Sequence, residues 1–131
     1  MDTKTELLKQ VPLFAGFSRD ELRAVAAVAD ELDVPAGRAL TRQGEPGREF
    51  VVLVEGEATV EENGKAVATL GRGDFLGEIA LLTRSPRTAT VTTTAPSRLL
   101  VLSDRAFRVL ADTVPAFAAR TWAATAARMP G

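Results

Sequence analysis

The sequence predicts a mainly β fold with flanking helices, a jelly-roll β-barrel carrying N-terminal helices and C-terminal lid helices. Three observations lead there. Between residues 31 and 103, short apolar runs recur and are cut repeatedly by glycine- or proline-containing turns. Before residue 30 and after residue 104, apolar residues fall at helical spacing instead. The 131 residues, 46% of them hydrophobic, give room for one domain with a core of its own. That domain, 1–131, divides into a helical part (1–30), a β-roll (31–103) and C-terminal helices (104–129).

Taken in order, residues 3–9 make a short helix that Pro12 breaks. Val11, Leu13, Phe14 and Phe17 then form an apolar knot in a loop, expected to pack on the core. Ser18 followed by Glu21 is a capping box, and Leu22, Val25, Ala26, Ala29 and Leu32 continue at helical spacing, so a helix is expected over 19–29. Strands are expected at 31–34, 38–41, 50–55, 58–61, 66–70, 88–94 and 98–103. The turns between them fall at 35–37, 44–47, 55–56, 63–64 and 95–96. Asn63-Gly64 is the strongest hairpin signal, because both central positions of a type I′ turn favour positive φ. Glu61-Glu62 beside it reads as a solvated charge pair. A helix follows over 104–111, and Pro115, at a first-turn position, opens a last one to residue 129, ~22 Å long. Trp122 on that helix is expected to cover the sheet or a neighbouring helix.

Composition removes several function classes. The 16 basic and 17 acidic residues give no basic surface for nucleic acid. There is no cysteine and no histidine, which excludes disulfides, thiol catalysis, His-ligated metals and imidazole acid/base chemistry. Carboxylates remain, but they form no cluster along the chain, so no catalytic residues, no metal and no cofactor are expected. A cyclic phosphodiesterase or a cupin-like enzyme has nothing here to work with. No apolar run approaches membrane-spanning length, and a cytoplasmic protein is expected.

One stretch carries chemistry, from Gly73 to Val91. Gly73 and Gly77 allow positive φ and close approach to the main chain. Glu78 to Leu82 suffice for one or two helical turns, whose first amides lack internal partners and suit an anion. Pro86 ends the helix and leads to Arg87, whose planar guanidinium can grip a phosphate bidentately. The spacing fits neither a Rossmann fingerprint nor a Walker A loop.

This stretch resembles the phosphate-binding cassette of the cyclic nucleotide-binding domain family, on Phe75, Gly77, Glu78, Ile79, Ala80, Leu81, Pro86, Arg87, Ala89, Thr90 and Val91. The resemblance extends over nearly all of residues 13–128. It implies that Arg87 holds the cyclic phosphate and that Glu78 accepts from the ribose 2′-OH. Amides of Ile79, Ala80 and Ala89 would be further phosphate donors beside Gly77. Val60, Val67 and Ala68 would line the sugar and base wall, although on residue type alone they read equally as core. Thr88 bears on the base: cAMP is the favoured ligand, with cGMP in competition. The C-terminal helices would close as a lid over the ligand, with Trp122 either over the base or in a dimer seam. The chain then acts as a sensor on a separate protein effector or on a fused effector domain. The alternative is a scaffold of the same fold whose pocket is degenerate. The alanine-rich last helix is a poor heptad and points to a monomer.

Overall fold

The computed structural model describes residues 3–128. The chain begins with α1 (Thr3–Lys9), a 3₁₀ turn (Pro12–Phe14) and α2 (Arg19–Val28). The strands β1 (Asp30–Val34), β2 (Ala39–Thr41), β3 (Glu49–Glu55), β4 (Ala58–Glu62), β5 (Lys65–Leu70) and β6 (Phe75–Leu76) follow. After α3 (Glu78–Thr83) come β7 (Thr90–Thr93), β8 (Ser97–Ser103), α4 (Asp104–Thr113) and α5 (Pro115–Arg128). Two four-stranded antiparallel sheets result, in the orders β1-β8-β3-β6 and β2-β7-β4-β5. Chain-distant strands thus lie side by side, which is the interleaved path of the expected jelly roll.

Strand alternation divides the core into two layers. In β3, Phe50, Val52 and Val54 pack with the helices, while Val51 and Leu53 face the space between the sheets. β8 does the same, with Leu100 and Leu102 toward the helices and Leu99 and Val101 toward the other sheet. These two strands are neighbours, in register from Glu49↔Ser103 to Leu53↔Leu99. They are therefore buried on both faces and read as near-continuous apolar runs.

Phe117 of α5 is fully buried and joins the chain ends to this layer. Its ring lies 5.3 Å from that of Phe107, 5.8 Å from Phe50 and 6.4 Å from Phe14. Arg120 adds a hydrogen bond to the Leu13 carbonyl at 2.7 Å and stands over the Phe17 ring at 5.2 Å. The apolar knot at 11–17 does pack on the core, as a 3₁₀ turn rather than as open loop.

The capping box of α2 is present in full: the Glu21 amide donates to Ser18 Oγ at 3.1 Å, and the Ser18 amide donates to Glu21 Oε1 at 2.8 Å. Ser18→Ala should lower the unfolding free energy by about 1 kcal/mol, read as a shift of the urea midpoint at constant slope.

Several elements differ from expectation. Leu32 leaves the helical face, lies in β1 and is 47% exposed. Residue 38 precedes β2, and its amide donates instead to Thr93 Oγ1 at 2.9 Å. The strand expected at 88–94 contracts to Thr90–Thr93, which leaves Thr88 exposed in the turn before it. The short β6 was not anticipated, since two residues carry no periodicity. Trp122 does not cover a sheet or a helix: it is 55% exposed. Five residues separate it from Phe117, which is about 140° around the helix, so the face that docks Phe117 turns Trp122 outward. Residue 129, where the last helix was expected to end, lies outside the described residues. No helix among them is long and apolar enough to cross a membrane.

Candidate functional site

The site is built where β6 delivers the chain to α3. β6 pairs with β3 through Val51↔Leu76 and Val52↔Phe75, and Gly77 then turns with φ +100 and ψ −10 to cap α3. A side chain is excluded here twice over. The φ is unfavourable for any L-residue, and an added Cβ would stand 2.5 Å from the Glu49 carbonyl oxygen and 2.7 Å from Arg87 Nη1. α3 ends at Arg84, in the left-handed region at φ 57, and Pro86 bars its continuation. The returning segment is pinned to the loop after β2: the Arg87 amide donates to the Glu45 carbonyl at 2.8 Å, and the Gly44 amide donates to the Arg87 carbonyl at 2.9 Å.

These constraints bury two opposite charges. Glu78 is 0% exposed and Arg87 is 9% exposed. Arg87 Nη2 donates to the Glu49 carbonyl at 2.7 Å, while Nη1 is buried with no hydrogen-bond acceptor among the described residues. Burial draws the Arg87 pKa below its ordinary value, and the charges of Glu49 and Glu78 oppose that shift. A buried N–H left without an acceptor costs about 1–3 kcal/mol. An anionic oxygen set against Nη1 would recover it, so the residues present fit a phosphate.

Gly47 is a further determinant that sequence reasoning missed. A Cβ on it would run into the Ala80 Cβ and lie 2.9 Å from Arg87 Nε, so its absence lets the guanidinium lie against this loop. Its only trace in the sequence was membership of an expected turn.

Arg87 and Glu78 share a cavity of about 280 Å³, near the small end of the range for small-molecule sites. Gly77, Ala80, Thr88 and Ala89 line it with them, as do Val60, Val67 and Ala68 from β4 and β5. The side chain of Ile79 lies outside the described residues. The core reading of Val67 and Ala68 is corrected: Val67 is 54% exposed and Ala68 is exposed, because β5 is an edge strand with one neighbour.

The wall also includes Val91, the last residue of the cassette-like stretch, and Thr41, Glu62, Leu70 and Leu76, which were not anticipated. Thr41 ties two strands together, donating to the Ala89 carbonyl at 3.0 Å and accepting from the Val91 amide at 3.2 Å. Nothing local in the sequence announces that, since the partners lie about fifty positions apart. Glu62, read as half of a solvated charge pair, is exposed as expected and also lines the rim of the cavity. Among the described residues none of α5 is on the wall, Trp122 included. Among the described residues no three acidic, histidine or cysteine side chains gather as a metal site.

The protein is thus a jelly-roll domain with a buried arginine and a buried glutamate on one small cavity. The chain belongs to the cyclic nucleotide-binding domain family, whose profile matches residues 31–113. It is 38% identical over 111 residues to a cAMP-dependent protein kinase regulatory subunit of Mycosarcoma maydis, an alignment covering 78% of this chain and 21% of that protein. It is 35% identical over 113 residues to a cyclic nucleotide-gated potassium channel of Rhizobium etli, covering 86% of this chain and 32% of the channel. Among solved structures, the regulatory domain of Toxoplasma gondii PKA in co-crystal with cAMP superposes with a TM-score of 0.80 at 26% identity, over 93% of this chain and 48% of that one. The chain therefore spans about a fifth to a third of the length of these curated relatives.

Proposed function

We propose that this chain is a non-enzymatic sensor of cyclic nucleotides in the cytoplasm, with cAMP as ligand and cGMP competing for the same cavity. The observation that carries the reading is the buried Arg87 Nη1 without an acceptor, on the wall it shares with buried Glu78. Arg87 grips the cyclic phosphate through a charge-assisted contact from Nη1, while Nη2 stays on the Glu49 carbonyl. Amides of Ile79, Ala80 and Ala89 complete the anion site beside Gly77. Glu78 is acceptor-only when ionised and would repel a phosphate, whereas the ribose 2′-OH offers it a donor. Val60, Val67 and Ala68 offer an apolar wall to the sugar and base, and Thr88 contacts the base edge.

A route to a partner starts at α3. Arg108 of α4 donates from Nη2 to the Leu81 carbonyl of α3 at 3.3 Å, and its Nε is held by Asp104 at 2.8 Å. α4 thus rests on the helix that carries Glu78. Ligand binding that draws α3 toward the phosphate shifts α4 and α5 with it, closing them over the cavity and biasing a two-state equilibrium that a protein effector reads. At about 22 heavy atoms and ~0.3 kcal/mol each, the ligand should bind with a dissociation constant on the order of micromolar.

The test is calorimetric titration with cAMP and 2′-deoxy-cAMP. Loss of a hydrogen bond to a buried carboxylate is penalised, so the deoxy ligand should bind about tenfold more weakly to the wild type. In Glu78→Gln that gap should narrow, since the amide tolerates the missing hydroxyl better than the carboxylate does. Equal affinity of the two ligands for the wild type would remove Glu78 from ribose recognition.

A further inference from the structure

We propose that Glu62 reads the base of the bound nucleotide, accepting hydrogen bonds from the adjacent N1–H and 2-amino groups of guanine, and so sets how strongly cGMP competes with cAMP. The inference rests on the cavity being a cyclic nucleotide site.

Strand alternation along β4 turns Ala58, Val60 and Glu62 to one face, and Val60 and Glu62 line the cavity with Glu78 and Arg87. β4 and β7 run antiparallel with Val60↔Val91 and Glu61↔Thr90. Ala89 and Thr88, which lead into β7, line the cavity as well. The backbone at this point is held. Gln43 donates from Nε2 to Asn63 Oδ1 at 3.0 Å and accepts from the Asn63 amide at 2.8 Å, and its own amide donates to Thr90 Oγ1 at 3.0 Å. Asn63 and Gly64, at φ 53 and φ 80, form the tight turn beyond. Lys65 faces Glu62 in register across the hairpin, yet among the described residues the exposed Glu62 carboxylate has neither an ion pair nor a hydrogen bond.

Ligand chemistry selects what such a carboxylate would take. It only accepts hydrogen bonds, and the phosphate of a cyclic nucleotide offers it no donor. The 2′-OH is engaged by Glu78, which leaves the N–H groups of the base. Adenine presents one exocyclic amine. Guanine presents N1–H and the 2-amino group side by side on one edge, matching the two oxygens of a carboxylate.

The test is competition titration of the wild type, Glu62→Gln and Glu61→Gln with cAMP, cGMP and cIMP, which keeps N1–H but lacks the 2-amino group. Glu61→Gln removes the same charge from the opposite face of the same strand. Glu62→Gln should weaken cGMP by about tenfold and leave cAMP within about twofold, with Glu61→Gln unchanged for both. Wild type should bind cIMP more weakly than cGMP. An unchanged cGMP-to-cAMP ratio in Glu62→Gln, or the same shift in Glu61→Gln, overturns this inference alone. Failure of wild type to bind any of the three overturns the cyclic nucleotide reading and this inference with it.

Discussion

Arg87→Ala should weaken cAMP binding by roughly tenfold to a hundredfold or more, because a charge-assisted contact of this kind contributes about 1.5–3 kcal/mol. The side chain has two tasks that the mutation separates. Nη2 holds the Glu49 carbonyl at 2.7 Å, a structural bond, whereas Nη1 is buried with no acceptor and is the group left for ligand. Arg87→Lys tests the division, since it keeps the charge and loses the planar fork. It should recover little of the affinity. Calorimetric titration checks the affinities, and far-UV circular dichroism confirms that each variant is folded. Wild-type affinity in folded Arg87→Ala would contradict the assignment.

Gly77→Ala should be the most damaging single-methyl change in the site. A non-glycine residue at φ +100 is strained by about 1–3 kcal/mol, and the added Cβ would meet the Glu49 carbonyl oxygen at 2.5 Å and Arg87 Nη1 at 2.7 Å. The first of these is backbone within a central strand and cannot move aside. The guanidinium must, which displaces it from the cavity. A stability loss of about 3 kcal/mol or more is expected, with nucleotide affinity falling alongside it. Chemical denaturation and titration of the folded fraction measure the two effects. Gly64→Ala is the natural comparison: it too has positive φ, at +80, but nothing lies within 4 Å of its added Cβ. It should lose only the conformational part and keep its affinity.

What could be read from the sequence divides by the range of the interactions involved. The segment from Gly77 to Arg87 was legible because its constraints are local: a glycine turn, a short helix, a proline stop and an arginine at fixed spacing. The capping box and the Asn63-Gly64 turn were legible for the same reason. Thr41, Gly47 and Glu62 were not, because strand pairing across the β-roll brings them to the site. No periodicity along the chain encodes which strands become neighbours. β5 shows a second limit, since Ala66, Val67 and Ala68 have the composition of a core strand yet lie on an exposed edge that walls the cavity. Trp122 shows a third. Residue type favours the interior for an aromatic, but Phe117 already fills that position on α5, and helix geometry turns Trp122 to solvent.

The central claim, that the cavity between α3, β4 and β7 holds a cyclic rather than an open nucleotide, is tested most directly by calorimetric titration of the wild-type protein with cAMP beside 5′-AMP. The account predicts saturable binding of cAMP at one ligand per chain, with a dissociation constant on the order of micromolar. The open monophosphate, bulkier and more highly charged at the phosphate, should bind far more weakly at a site with one buried arginine and a neighbouring glutamate. No saturable heat with cAMP, or equal affinity for the two, would contradict it.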